Sequence, residues 1–415
     1  MCAVAWKTKQ SMRHLTGKST LAHKCSALNP FALAMPIQQL TVPPQKVAEV
    51  NGGVGDPTRD TYQRKVFYDG TNFFIIYWHG GDLKTYYVAS SDGKTWTDPV
   101  AMFTFSVAPY YGGNVDVCYP NRGSKDVENE DIDLATYLTG SNGATAQWRP
   151  YIISGQTLTL KAGRGASGLI GAQGGSVLSN LSGEQDFAIY HQTHGLETGI
   201  GLHGSSVYGT TDNDQSVPYG GTTTGGAQIL PYKTSSPFNM LALAKGADNK
   251  LYYNIAIETT RLFQNGFTAI ATLGTGFSDF CAASEAQNIG DPEIIDIVYI
   301  KSTGELAHKS FLNDELTSET ILCESGASYP VIACGKGGRR YLYYVKDGVI
   351  KQQKLRNLNG VIQVLTPEAT LFPEHTYNNP AYLSTNQNVQ NGQICLVWTE
   401  GTASPYEVWF CTIGD

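Results

Sequence analysis

Charge is scarce in this 415-residue chain, with Asp, Glu, Lys and Arg making up only 16% of it. The 36 acidic and 29 basic residues leave a net charge of −7 with no basic stripe, so nucleic acid is not expected as a partner. No apolar run approaches the ~18 residues of a membrane span, and none is expected. Apolar residues at helical spacing are missing over any long stretch, which removes the helical fold classes. The eight cysteines form no CxxC pair and no cluster with histidine, so no metal site is expected. GxGxxG, P-loop and HExxH patterns are absent, and no cofactor is implied. GxSxG is absent too, which weakens a serine hydrolase reading.

What the chain has instead is 45 glycines and 24 tyrosines, set in short apolar runs between turn residues. The stretch Arg64–Pro99 shows the pattern best. Val66–Tyr68 stops at Asp69-Gly70, Phe73–Trp78 stops at His79-Gly80-Gly81, and Thr85–Ala89 stops at Ser91-Asp92-Gly93. Runs rich in aromatic and β-branched residues, closed by Asp-Gly and Gly-Gly, predict antiparallel hairpins. The unit recurs. Second-strand candidates are Phe73–Trp78, Ile132–Leu138, Phe187–His191, Met240–Ala244, Ile294–Tyr299, Tyr341–Val345 and Ile394–Trp398, starting 47 to 59 residues apart. Matching first strands begin at Arg64, Gly112, Gly174, Gly225, Ser278, Tyr329 and Asn379, three of them with Gly-Gly. Repeats of this length predict an all-β fold, a seven-bladed β-propeller with six as the alternative count.

The last unit offers only three strands before the chain stops. A strand at Ile37–Val42 can supply the fourth, closing the ring and removing two open sheet edges. Pro43 to Asp60 then reads as a linker into the first inner strand. Residues 1–34 are basic, polar and aperiodic, and read as a flexible tail ahead of one propeller domain over 35–415. Phe31-Ala32-Leu33-Ala34 has the small residues of a signal cleavage site, but Lys24, Asn29 and Pro30 break the apolar core before it. Secreted and cytoplasmic locations therefore stay open, and a monomer is expected. Cys395 and Cys411 flank a hairpin centred near Ala403. They could face one another across it, or be two small buried hydrophobes on neighbouring strands. The acidic run Lys125–Asp133 lacks EF-hand spacing and reads as a solvated loop. The Gly-, Ser- and Thr-rich segment 204–226 reads as a loop of lid or rim type.

Three resemblances add to this. Ser90-Ser91-Asp92-Gly93-Lys94-Thr95-Trp96 resembles the Asp-box of sialidases and related propellers, one residue short; the resemblance implies a turn that packs its Trp into the blade. The tyrosine-bearing hairpins Leu241–Asn254 and Arg339–Leu355 resemble fungal fucose-lectin-like propellers. Those lectins repeat an Arg, a Glu and an aromatic residue from blade to blade, whereas Arg340 and Tyr341 have no matching Arg in the first five units. That departure favours one axial site over several equal ones. The overall pattern is similar to fungal propeller enzymes of hetero-Diels–Alder closure, at the level of architecture, with no residue to carry over.

On a propeller, the starts of the inner strands and the loops between second and third strands share one face around the channel. The starts offer Arg64, Tyr110, Tyr111, Asn114, Asp279, Tyr329, Tyr377 and Asn378; the loops offer Trp78, His79, His191 and His194. Arg64, His79, His191, His194 and Tyr377 are the candidate catalytic groups. Histidine and tyrosine would serve as acid and base, and Arg64 as oxyanion donor. Trp78, Tyr110, Tyr111, Asn114, Asp279, Tyr329 and Asn378 are the candidate substrate contacts. Such a set suits a small organic ligand. The first functional reading is thus a cofactor-independent enzyme driving elimination, isomerisation or cyclisation of a small hydrophobic molecule in an axial pocket. A glycosidase or polysaccharide lyase is the alternative, with Asp60, Asp116, Asp279 and Glu374 as carboxylates to weigh. The third is a glycan-binding or scaffold propeller without chemistry.

Overall fold

The computed structural model describes residues 41–415 apart from 52–56, 105–114, 119–123, 126–130, 133, 140–144, 161–166, 171, 180–184, 195–196, 207–208, 214–225, 234–238, 247, 258–261, 265, 277–278, 286–291, 388–392 and 415. Within them, hairpin after hairpin builds seven antiparallel sheets of four or five strands, plus one two-stranded ribbon. The inner strands are Val66–Tyr68, Val115–Cys118, Ala172–Ser179, Ala227–Lys233, Phe280–Ser284, Ser328–Cys334 and Ala381–Thr385. From Val115–Cys118 onward each touches the next, the last touches Val66–Tyr68, and Val117 N donates to Arg64 O at 3.2 Å to complete the circle. The protein is a β-propeller.

Strand Phe73–His79 shows why these runs are apolar throughout. Phe73, Ile75 and Tyr77 pack on Val397, Val408 and Phe410 of the last sheet, while Phe74 and Ile76 pack on Val117 and Tyr151 of the second. A strand covered on both faces has no polar side to alternate with. Each fully buried Phe or Ile contributes roughly 1.5–3 kcal/mol from its removal from water.

The ring closes as the sequence pattern predicts, through a different segment. The strand that joins the last sheet is Val42–Val50, paired antiparallel with Tyr406–Gly414. Pro43 and Pro44, expected in the linker, lie inside it, at the register shift between Val42 and Gln45. An outer strand tolerates proline there because no ladder hydrogen bond is lost. Residues 37–40 lie outside the described residues. Part of the predicted loop 204–226 is strand as well: Glu197–Ser206 and Gly209–Asn213 pair as the outer half of the third sheet. Small polar residues do not prevent strand pairing where neighbours supply the ladder.

The Gly174-Gly175 start lies at a bulge, as two other inner strands do. Inner strands are bulged between Gln173 and Ser176, between Ser328 and Val331, and between Ala381 and Ser384. In the last two bulges Tyr329 and Tyr382 adopt left-handed backbone, with φ of 51° and 52°. Left-handed backbone is the conformation that glycine accepts without a Cβ clash.

In the Ser90–Trp96 turn, Asp92 Oδ1 accepts from Lys94 N and Thr95 N, both at 2.8 Å, and Ser90 Oγ accepts from Gly93 N at 2.8 Å. The Trp96 ring meets Phe410 edge-on at 4.9 Å. The six described cysteines are buried and form no disulfide with one another. Cys395 stands opposite Thr412, and Cys411 opposite Leu396. One register step apart on paired strands, the two thiols point to opposite faces of the sheet, so they cannot face one another.

Candidate functional site

The segment Pro57–Lys65 determines what the centre of the ring can hold. It is buried except for Arg59. Trp78 N of the first sheet donates to Pro57 O at 3.1 Å. Thr58 Oγ1 donates to Tyr382 O of the seventh sheet at 2.9 Å, and Thr61 Oγ1 to Phe280 O of the fifth at 2.9 Å. The Tyr62 ring stacks on Phe280 at 5.2 Å and 7°, and lies against Gly226 at the start of the fourth sheet. Asp60, at φ 75°, closes a turn by accepting from Gln63 N at 3.1 Å. The chain then runs back. Ser384 Oγ donates to Gln63 O and accepts from Lys65 N, each at 2.9 Å. A segment bonded to the first, fifth and seventh sheets and packed on the fourth spans the space between the inner strands.

Arg64 is part of this plug. Its Nε and Nη2 donate to Asp116 Oδ1 and Oδ2 at 3.0 and 2.6 Å, and its backbone N donates to Oδ1 at 2.6 Å. Burial pulls the guanidinium pKa down, but the Asp116 charge outweighs it and holds the group firmly protonated. Expected as an oxyanion donor at an open mouth, Arg64 spends its fork on the Asp116 carboxylate instead, because a buried guanidinium has to be neutralised. Lys65 sits beside it, with Nζ donating to Gln63 Oε1 at 2.6 Å and to Val115 O. Burial lowers its pKa to about 8, against the opposing pull of Asp60 and Asp116.

The other expected site residues scatter. Trp78 lies within strand Phe73–His79 and is 1% exposed, a core residue and not a loop contact. His79 ends that strand, and its Nδ1 accepts from Asp82 N at 3.1 Å, which fixes the turn. Asp279 accepts from Lys245 Nζ at 3.1 Å, and Lys245 also donates to Gly274 O at 2.8 Å. Burial raises the Asp279 pKa, opposed by Lys245. Tyr329 stacks obliquely on Tyr382, centroids 4.8 Å apart. His191 and His194 lie within strand Gln185–His194 and not in the loop after it; their side chains are outside the description. Tyr110, Tyr111 and Asn114 are outside the described residues. Of the carboxylates weighed for a glycosidase, Asp116 and Asp279 are engaged with cations, Asp60 lies in the plug, and Glu374 is exposed on a loop.

Tyr377 and Asn378 are brought together with residues that had not been singled out. Their loop joins the sixth and seventh sheets and meets the end of strand Gln393–Glu400. Glu400, almost fully buried, receives His375 Nε2 at 3.0 Å, Trp398 Nε1 at 2.8 Å and Asn378 N at 3.0 Å. His375 stands between two rings, Tyr377 at 4.6 Å and 89°, and Trp409 at 4.7 Å and 61°. Trp398 backs the group, 6.4 Å from Trp409 and from Tyr377. Tyr377 OH donates to Leu371 O. Burial raises its pKa strongly, with nearby Cys411, Glu400 and Glu374 adding to this, so the phenol stays neutral and is not a base near pH 7. The carboxylate fixes the imidazole by one nitrogen and leaves Nδ1 without a hydrogen-bond partner among the described residues. His375, Tyr377 and Trp409 are each partly exposed, and Asn378 and Asn379 are exposed beside them. Two rings, one oriented imidazole and two surface amides thus sit at one edge of the propeller face. Glu400 and Trp398, two apart on a strand, and His375, two before Tyr377, were readable as neighbours only once strand ends and loop were known to meet.

Among the described residues no group of three or more His, Cys, Asp or Glu side chains lies together as a metal site. Fold and rim cluster together define a β-propeller with an aromatic, hydrogen-bonding edge site. No protein-family model matches the chain, and no curated protein does. Among solved structures it is similar to the BP39L lectin from Burkholderia pseudomallei, at 11% identity and a TM-score of 0.53, over 72% of this chain and 82% of that one. It is similar also to a triple mutant of AofleA from Arthrobotrys oligospora, at 10% identity and a TM-score of 0.51, over 80% of this chain and 93% of that one. At these identities the likeness concerns the fold alone.

Proposed function

We propose that this propeller binds glycans, and that a sugar lies against Tyr377 and Trp409 with His375 Nδ1 and the Asn378 and Asn379 amides meeting its hydroxyls. The observation that carries this is the His375 arrangement: an imidazole clamped by a buried carboxylate, with its free nitrogen among half-exposed rings. Sugar rings present an apolar face edged by hydroxyls, which calls for this pairing of aromatic surface and directed hydrogen bonds. The likeness in fold to a lectin is consistent with it. Weighing against an axial enzyme pocket is the plug, since Tyr62, Gln63 and Arg64 occupy the middle of the ring. Weighing against a glycosidase is the engagement of Asp116 and Asp279 by Arg64 and Lys245.

The test is a glycan array followed by calorimetry on the best ligand, for the wild-type chain and for Tyr377→Ala and Trp409→Ala. Each substitution is expected to weaken binding at least about tenfold, ~1.4 kcal/mol, while circular dichroism stays unchanged. A wild-type chain that binds no glycan, or two variants that bind as well as it does, overturns the reading.

A further inference from the structure

Away from the rim cluster, the outer strand of the fifth sheet meets the sixth sheet at a thiol and an amine. Cys323 ends strand Thr320–Cys323, and Lys346 ends strand Arg339–Lys346. Lys346 Nζ donates to Cys323 Sγ at 3.4 Å. The Cys323 thiol in turn donates to Ser325 O at 3.3 Å, leaving its lone pairs toward the lysine. Lys346 is also held by Glu368, with Oε2 at 3.2 Å, and Glu368 accepts from Tyr344 OH. The strands are fixed against each other beside this point, because Gln353 Nε2 donates to Leu322 O at 3.2 Å and to Tyr344 OH at 3.3 Å. Cys323 is 7% exposed, and the Lys346 and Glu368 side chains 26% and 29%, so a small oxidant reaches the sulfur from solvent.

The geometry points to a modification site: under peroxide, Cys323 and Lys346 form a covalent sulfur–nitrogen cross-link that staples the fifth sheet to the sixth. In the first step the sulfur attacks one peroxide oxygen, the O–O bond breaks, and sulfenic acid and water result. Sulfur is oxidised by two electrons and the peroxide is reduced. In the second step the ammonium of Lys346 passes a proton to Glu368, and the free amine attacks the sulfenic sulfur. The S–O bond breaks, and the hydroxyl leaves as water with a second amine proton. Thiol, amine and one hydrogen peroxide thus give the sulfenamide and two waters. Sulfenic acids are known to condense with nitrogen in this way, and a thiol reductant reverses the product. Glu368 is the local base the step needs. Hydrogen bonding to Glu368 first, and then to Cys323, raises the Lys346 pKa, so the resting pair is ammonium and carboxylate, and the proton crosses to Glu368 only in the step in which the amine attacks. No residue of the rim cluster takes part, so the inference stands apart from the glycan reading.

The experiment treats the full chain with hydrogen peroxide, blocks remaining thiols, digests with trypsin and sequences the products by mass spectrometry. A Cys323-bearing peptide joined to one that runs uncleaved through Lys346, lighter than their sum by two hydrogens and separated by dithiothreitol, is expected. In Lys346→Arg, which keeps the positive charge, the joined species should fall to background and Cys323 should progress to sulfinate. Cys323 sulfinate or unmodified Cys323 in the wild-type chain, with no joined peptide, overturns the proposal. So does a joined peptide in which the linked sulfur is that of Cys334.

Discussion

Replacing Asp296 by Asn should unfold this protein more readily than any other single isosteric change in the described residues. Asp296 lies on the second strand of the fifth sheet and is fully buried. Its Oδ1 accepts from His308 Nε2 at 2.7 Å, Ser310 Oγ at 3.0 Å and Asn357 Nδ2 at 2.5 Å, and its Oδ2 accepts from Arg340 Nε. Burial pulls the carboxyl pKa upward. The Arg340 charge and the His308 hydrogen bond and charge outweigh it and hold it well below the usual range. An amide supplies one acceptor where two are used, and puts an N–H against a donor. Among the described residues Arg340, itself 0% exposed, would keep Glu285 at 2.6 Å and Arg339 O at 2.9 Å. Breaking a buried pair in this way costs about 3–5 kcal/mol, a large share of the ~5–15 kcal/mol that holds a folded domain. The assay is urea unfolding followed by tryptophan fluorescence, comparing midpoints at constant slope. The double variant Asp296→Asn/Arg340→Met should recover part of the loss, because no buried cation is left unpaired. A single variant that loses less than about 1 kcal/mol, against the 3–5 expected, or a double variant worse than the sum of its parts, refutes the reasoning. The sign with pH follows from the depressed carboxyl. Its contribution is complete above the unfolded value and is lost as pH falls through the folded one.

Two further predictions concern the plug. A Cβ at Gly226 would stand 2.0 Å from a Tyr62 ring carbon, so Gly226→Ala must push the ring off Phe280. About 1–3 kcal/mol of destabilisation is expected in urea, as for other overpacked cores, and an unchanged midpoint would count against the packing described. For Lys65, burial sets the folded pKa near 8, below the ordinary lysine value of 10.5. Between the two the unfolded chain binds more protons, so this group adds stability as pH rises from about 8, up to ~3 kcal/mol, and adds none below it. Stability measured against pH for wild type and Lys65→Met should diverge over that interval; parallel curves would mean the amine is not desolvated.

The fold was largely legible because burial on both faces leaves strands with no polar phase. All seven predicted second strands, from Phe73 to Ile394, overlap observed ones, and the seven first strands overlap observed ones too, although the starts at Gly112, Gly225 and Ser278 lie outside the described residues. The N-terminal partner was placed too early because Pro43-Pro44 looks like a linker, and only the edge position and the bulge against Tyr406–Gly414 make it a strand. The site was less legible for a physical reason. Position on the chain tells which face a loop serves, but not which charges cancel. Arg64 and Asp116 are 52 residues apart, and nothing local to either says that they neutralise each other. His79 and His375 look alike as sequence. One fixes its own turn, and the other is gripped by a carboxylate 25 residues downstream.

The plug also changes what kind of site a propeller of this design can offer. A ring of sheets leaves a central space whose lining consists of strand backbones and short side chains, and something has to satisfy those groups. Here the chain's own residues do so, with the hydroxyls of Thr58, Thr61 and Ser384 and the amide of Gln387 each bonded to a backbone carbonyl. A ligand at that position would have to displace a buried Arg64–Asp116 pair and leave both charges dry, which no small apolar molecule can offset. On the proposed glycan reading, the ligand is met at the outer rim, where rings and hydrogen-bonding groups keep one side toward solvent. The rim loop at His375–Asn378 meets that condition, because Glu400 holds it without consuming the Nδ1 edge of the imidazole or the exposed face of Tyr377.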